Sequence, residues 1–233
     1  MDPAEANKSY FNSGNAAENF DEHPLHAEMA KRIGRAILHA YPFDDESTTI
    51  LDYACGTGLN SRLLAPHAKS IIGVDISQAM VEKYNLRVSN QGISPDEMRA
   101  ICVDLKGETD ELNGMKFDVV MCCMSYHHFA SESLASITQI LSYFLRDGGH
   151  LFVADVQSTE DHADIFGDGL CPSGVVTQKR GFTQQQMSNL FAGAGLCSFK
   201  FDRVTRANKN GRNVDIFLAR GLKSAPQING HSG

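Results

Sequence analysis

The sequence predicts a doubly wound α/β fold around a mostly parallel sheet, and three observations carry that prediction. Short, near-continuous apolar runs alternate with helical patterns between Thr49 and Val156, which is how strands buried on both faces read. The first run ends in a glycine turn, Cys55-Gly56-Thr57-Gly58. The second ends in an acid, Asp75, within Gly73-Val74-Asp75-Ile76-Ser77. Strand, glycine turn, helix and a second strand closed by an acid form the order of a parallel βαβ nucleotide site. Glycines let the backbone approach a ligand closely, and the acid can hold a ribose hydroxyl pair.

Each element follows from local chemistry. Residues 4–20 are polar and mildly amphipathic, with Tyr10, Phe11 and Phe20 as apolar anchors. His23-Pro24 opens a clearer helix in which Leu25, Met29, Ile33, Ile37 and Leu38 recur at helical spacing. Pro24 suits the first turn, where its missing donor goes unused. Strands are expected at Thr49–Ala54, Ser70–Asp75, Arg99–Val103, Phe117–Met124 and His150–Val156, with helices at Asn60–Ala65, Gln78–Asn90 and Glu132–Leu145 between them. Asp147-Gly148-Gly149 reads as the turn feeding the fifth strand, and residues 157–181 as a long loop beside a site. Thr183 is placed to cap a helix running to Ala194. Ser198–Thr205 and Asn213–Ala219 then pair antiparallel across the turn from Asn208 to Gly211. The expectation is a Rossmann-like, seven-stranded sheet with a C-terminal antiparallel hairpin and an N-terminal helical lid. Residues 1–222 read as a single domain, with 1–45 as the lid or cap, and the turn-rich 223–233 as a disordered tail.

Composition narrows the partners. The chain has 233 residues, 42% hydrophobic and 21% charged, with a net charge of -7, close to an ordinary globular domain with ample core. It shows no basic stripe of the kind that tracks nucleic-acid phosphates. The longest apolar runs are too short to span a bilayer, and Met1-Asp2-Pro3-Ala4-Glu5 lacks the basic start and apolar core of a signal peptide. Its six cysteines show no metal-ligand spacing. They read as thiols packed as small hydrophobes in a reducing cytosol, with no metal expected. Oligomeric state is not read from these residues.

Three cofactor classes compete for the glycine turn. A phosphate loop requires Gly-Lys-Ser/Thr, whereas Gly58 is followed by Leu59-Asn60. A dinucleotide fingerprint requires a third glycine, and Leu59-Asn60-Ser61 lacks it. What remains is an ordered series: Asp52 through Gly58, Gly73 through Ser77, Val103-Asp104-Leu105, Phe117-Asp118-Val119-Val120 leading to His127-His128, and Leu145-Arg146-Asp147-Gly148-Gly149. That series resembles the class I S-adenosylmethionine-dependent methyltransferases, and more narrowly their small-molecule branch that includes quinone-biosynthesis enzymes. The opening Tyr10-Phe11 to His23-Pro24 and the later Gly181-Phe182-Thr183 to Gly195 match that branch as well.

The resemblance implies roles by residue. Asp52 and the backbone of Ala54, Gly56 and Gly58 would face the methionine part of S-adenosylmethionine. Asp75 would hold the ribose, with Ile76 packed on the adenine. Asp104 would accept from the adenine amino group, with Leu105 beside it. Apart from the resemblance, Tyr10, Phe11 and Phe20 read either as an N-terminal lid that closes over the cofactor and excludes water or as a helix staple on the core, and the two roles are compatible. Tyr126 and His127 follow the fourth strand, beside the expected methyl position. An imidazole titrates near neutral pH, so two roles stand open for His127: general base or pocket wall. For His128, packing or a bond to a backbone carbonyl is the favoured reading. Asp155 either points into the pocket or caps the following loop.

The chain lacks the Asn-Pro-Pro-Tyr motif of base methylation, the paired-Glu loop of arginine methylation and the clustered acids of metal-dependent catechol enzymes. The expectation is therefore a cytoplasmic enzyme transferring a methyl group to O, N, C or S of a small-molecule substrate, with neither nucleic acid nor membrane as partner. Two rivals stay open: a non-catalytic cofactor-binding protein of the same fold, and a dehydrogenase.

Overall fold

A computed structural model describes residues 2–13, 16–158, 164–166, 174–209 and 212–225. Seven strands form one sheet: β1 (Thr49–Tyr53), β2 (Ser70–Asp75), β3 (Met98–Cys102), β4 (Phe117–Cys123), β5 (Leu145–Val156), β6 (Leu196–Lys209) and β7 (Arg212–Lys223). Their order is β3-β2-β1-β4-β5-β7-β6. The first five are parallel, and β7 runs antiparallel between β5 and β6.

The strand pattern explains the two covered faces. Successive side chains alternate across a sheet, so Ile50, Val119, Met121 and Phe152 enter one apolar cluster while Leu51, Val120, Leu151 and Val153 enter the other. The first cluster is closed by α3 (Pro24–Ala40) and α5 (Gln78–Asn90), through Ile33, Ile37, Tyr84 and Val88. The second is closed by α6 (Leu134–Phe144) and α7 (Gln184–Gly193), through Leu141, Phe144, Met187 and Phe191. A capping box at Thr183 and Gln186 opens α7. Two short helices, α1 (Pro3–Asn12) and α2 (Ala16–Glu22), precede α3, and α4 (Ser61–Leu64) follows the glycine turn. None of the described helices is long and apolar enough to cross a membrane.

Three boundaries differ from expectation by more than about two residues, the ordinary uncertainty of an element's end. β5 begins at Leu145, not His150, because Asp147-Gly148-Gly149 forms a bulge inside the strand: Phe117 pairs with Leu145 and Val119 with His150. Gly149 is obligatory there, since a Cβ would lie 2.9 Å from the Arg146 carbonyl oxygen. The hairpin strands are longer than their apolar stretches, as alternating polar residues such as Arg206 and Asp215 also pair. Finally β7 runs through Lys223, which pairs with Leu196 and whose Nζ donates to the carbonyls of Ser142 and Leu145. The expected tail beyond residue 225 and the turn at 210–211 lie outside the described residues.

Candidate functional site

Strand order reverses between β1 and β4, and open α/β sheets bind ligands where the carboxyl ends diverge at such a point. The glycine loop after β1 stands on one side of this crevice. Ala54, Gly56 and Gly58 all take positive φ, at 56°, 54° and 82°. Gly58 admits no side chain, since a Cβ would lie 2.6 Å from the Tyr84 ring. Gly56 faces open space, with nothing within 4 Å of where a Cβ would stand. Left-handed Ala54 carries strain of about 1 kcal/mol, as does Met124 at the end of β4, with φ 55°.

Asp75 ends β2 and reaches across to this loop. Its carboxylate accepts from Gly56 N and from Ser77 N, both at 2.9 Å. Burial raises its pKa, opposed by these backbone hydrogen bonds. Asp52 lies deeper, 3% exposed, where it accepts from Ser61 Oγ at 2.6 Å. Burial pushes its carboxyl up to about 7, opposed by the Ser61 hydrogen bond and reinforced by the charge of Asp75. Asp52 therefore braces the loop against α4 from within. Beyond β3, Asp104 is half exposed and paired with Lys106, while Ile76 is half-buried beside Asp75. Leu105 turns away into the apolar cluster with Val74 and Phe117, and so backs the crevice instead of lining it.

The other side is built from the ends of β4 and β5. Tyr126, His127 and His128 form a single 3-10 turn, and its three rings diverge. Tyr126 is fully buried in the α6 cluster, with its hydroxyl 3.1 Å from Thr138 Oγ1. The catalytic role expected of Tyr126 meets a side chain that faces the core, with its hydroxyl on Thr138. His128 Nδ1 lies 2.7 Å from the Val175 carbonyl, and burial together with His127 lowers its pKa to about 3. It is a neutral structural histidine. His127 is held differently, with Nδ1 at 2.9 and 3.1 Å from the two carboxylate oxygens of Asp155. Its ring stacks on Phe166, centroids 4.6 Å apart and 20° from parallel.

The N-terminal helices pack against both rims of the crevice. Asn12 Oδ1 accepts from Ser77 Oγ and Ala79 N, binding α1 to the start of α5. Asn7 Nδ2 donates to Val175 O at 3.1 Å. Phe11 sits edge-on to His128 at 5.7 Å, with Tyr10 against it at 5.0 Å. Asp21 of α2 accepts from Thr57 Oγ1 at 2.5 Å and pairs with Arg87, which also donates to the Thr57 carbonyl. The Asp155–His127 pair and the Asp21–Thr57–Arg87 latch were both missed in the sequence. Their members stand 28, 36 and 66 residues apart, and no spacing rule links residues joined only by the tertiary fold.

The family described as Methyltransferase domain matches residues 50–149. An uncharacterized methyltransferase of Schizosaccharomyces pombe is 39% identical over 165 residues, covering 69% of this chain and 57% of that protein. The chain thus spans little more than half the length of that relative. A ubiquinone biosynthesis O-methyltransferase of Marinobacter nauticus is 25% identical over 177 residues, covering 71% and 73% respectively. Among solved structures, magnesium protoporphyrin IX methyltransferase from Synechocystis PCC 6803 with bound SAH superposes with a TM-score of 0.68 at 17% identity, over 94% of this chain and 99% of that one. Residues 50–149 thus carry a methyltransferase domain, and the relatives and sheet order are those of the class I S-adenosylmethionine-dependent methyltransferases.

Proposed function

We propose that the chain binds S-adenosylmethionine in this crevice and transfers its methyl group to a small-molecule acceptor. The observation that carries the reading is Asp75, a carboxylate at the end of β2 tied to Gly56 N. It faces a glycine loop with open space above Gly56. The donor set fits a nucleoside without phosphate. Among the described residues, the cation bonded to this loop is Arg87, and its guanidinium is engaged by the Thr57 carbonyl and the Asp21 carboxylate. A pyrophosphate would meet acids here instead of free donors, which disfavours a dehydrogenase.

Bound adenosylmethionine would supply a methyl carbon already activated by a cationic sulfur. Asp75 retains acceptor capacity for ribose hydroxyls beyond its two backbone donors. Ile76 offers an apolar wall to the base, and Asp104 a carboxylate to its amino group. The backbone of residues 54–58, with open space above Gly56, accommodates the methionine end. Tyr10 and Phe11 exclude water from above, which serves a reaction whose rate comes chiefly from alignment. His127 stands at the acceptor side.

The test is transfer of labelled methyl from S-adenosylmethionine to a panel of small metabolites. Label on a defined acceptor supports the reading. Tight cofactor binding with no transfer to any acceptor favours a non-catalytic binding protein of the same fold.

A further inference from the structure

We propose that Asp155 is a positioning residue that makes His127 a proton acceptor, and that the methyl acceptor is therefore a hydroxyl group. The inference rests on the methyl-transfer reading and deepens it. Asp155 lies at the carboxyl end of β5, next to the end of β4, and is wholly buried. Its oxygens accept from Val156 N at 2.7 Å and from His127 N at 3.1 Å, besides His127 Nδ1. Two backbone donors thus fix the carboxylate before it meets the ring.

The ring's orientation follows from that. An ionised carboxylate only accepts hydrogen bonds, so the neutral imidazole carries its hydrogen on Nδ1 and presents a bare lone pair at Nε2. Among the described residues no hydrogen bond reaches Nε2. Phe166 covers one side of the ring, and His128 lies with its centroid 4.1 Å away. The His127 carbonyl is itself anchored by Thr177 N at 2.9 Å and Gln178 N at 3.0 Å. Each element packed around the ring contributes a neighbour. From β5 comes the charge of Asp155, and from the same turn comes His128, neutral and bound to Val175. The buried Cys122 and Cys123 on β4 are held as neutral thiols by burial. From α1 comes Phe11, uncharged and packed on His128.

A buried carboxylate behind a histidine is useful where a proton must leave a weakly acidic group. A thiol ionises readily near neutral pH, and an ammonium would bring a second positive charge against the cationic sulfur, so an amine enters as the free base with its lone pair ready. A hydroxyl needs the base. The acceptor O–H proton passes to Nε2 and leaves an imidazolium beside Asp155. The oxygen lone pair forms the O–C bond, and the pair of the breaking C–S bond stays on sulfur, whose charge is neutralised. The proton is then lost to water, so one hydroxyl and one sulfonium give one methyl ether, one thioether and one proton.

The experiment reads the ring directly. In protein without ligand, side-chain nitrogen NMR of wild type should show neutral His127 as the Nδ1–H tautomer. Asp155→Asn should populate the other tautomer and lower kcat on a hydroxyl acceptor by about a hundredfold or more. The acidic limb of its kcat–pH profile should move to lower pH, while affinity for the demethylated cofactor stays within about twofold. An Nε2–H tautomer in wild type overturns the proposal even if the variant does not fold. So does an Asp155→Asn enzyme with unchanged turnover and pH profile, or a wild type that methylates amines and never hydroxyls. Loss of cofactor binding by wild type would instead overturn the methyl-transfer reading and leave the tautomer result standing on its own.

Discussion

The two ends of the sheet use aspartates to opposite purposes. At the amino end, Asp118 is 1% exposed and fully engaged: Oδ2 accepts from Thr49 N and Thr49 Oγ1, both at 2.8 Å, and Oδ1 pairs with Arg146. At the carboxyl end, Asp75 holds two backbone donors with capacity to spare, Asp104 is half exposed, and Asp155 is committed to a histidine. Beside the crevice, Ala54 and Met124 also take left-handed backbone. An acid held by its neighbours stabilises the fold; an acid with acceptor capacity to spare is poised for a ligand.

Substitutions on either side of this division should separate activity from stability. The largest effect is expected at His127. His127→Ala should lower turnover about a hundredfold or more with cofactor affinity nearly intact. If the ring only shapes the pocket, the Michaelis constant rises instead and His127→Asn largely rescues it. At the other end, Asp118→Ala should cost about 1–3 kcal/mol of stability by leaving Thr49 N without its acceptor. Urea denaturation reads that loss, and calorimetry with the demethylated cofactor should show no change in affinity. A weakened ligand site in this variant would blur the division.

Asp52 connects the two behaviours through pH. Its folded value of about 7 lies above its ordinary 3.8 because of burial. Between those values the folded state binds the proton more tightly than the unfolded chain, so this group's contribution to stability is full at low pH and declines as pH rises toward 7. Asp52→Asn removes the titration. Melting curves at pH 5 and pH 8, as rough limits of that window, should shift in the variant's favour at the higher value. Parallel pH dependence in both proteins would mean that Asp52 is not buried as described. A smaller effect is expected at the lid. Amide exchange across Pro3–Glu22 should slow when the demethylated cofactor is added, and Asp21→Ala should weaken that protection by releasing the latch to Thr57. Exchange indifferent to ligand would reduce α1 and α2 to packing.

The parallel half of the sheet was legible because its signal is local. Ile50-Leu51, Ile71-Ile72 and Val119-Val120 are apolar on both faces, and only strands covered on both sides read that way. The start of β5 was hidden by chemistry that usually means a turn, since Asp147-Gly148-Gly149 serves equally well as a bulge. In the site, Gly56, Gly58 and Asp75 announced themselves because one turn and one strand end require them. Tyr126 and Leu105 did not reveal which face they take, because side-chain direction in a 3-10 turn or a loop follows no simple period. The pairing of Asp155 with His127 depends on β4 and β5 being neighbours, which is a property of sheet order and not of any short segment.

The central claim is that the carboxyl rim binds S-adenosylmethionine through Asp75. Calorimetric titration of the demethylated cofactor into wild type, Asp75→Ala and Asp118→Ala tests it most directly. The account predicts binding in the micromolar range for wild type, roughly as a nucleotide crevice of this kind affords. It predicts a loss of about 1–3 kcal/mol in Asp75→Ala, as expected when a charge-assisted hydrogen bond is removed, and no loss in Asp118→Ala. Equal affinity in wild type and Asp75→Ala would contradict it.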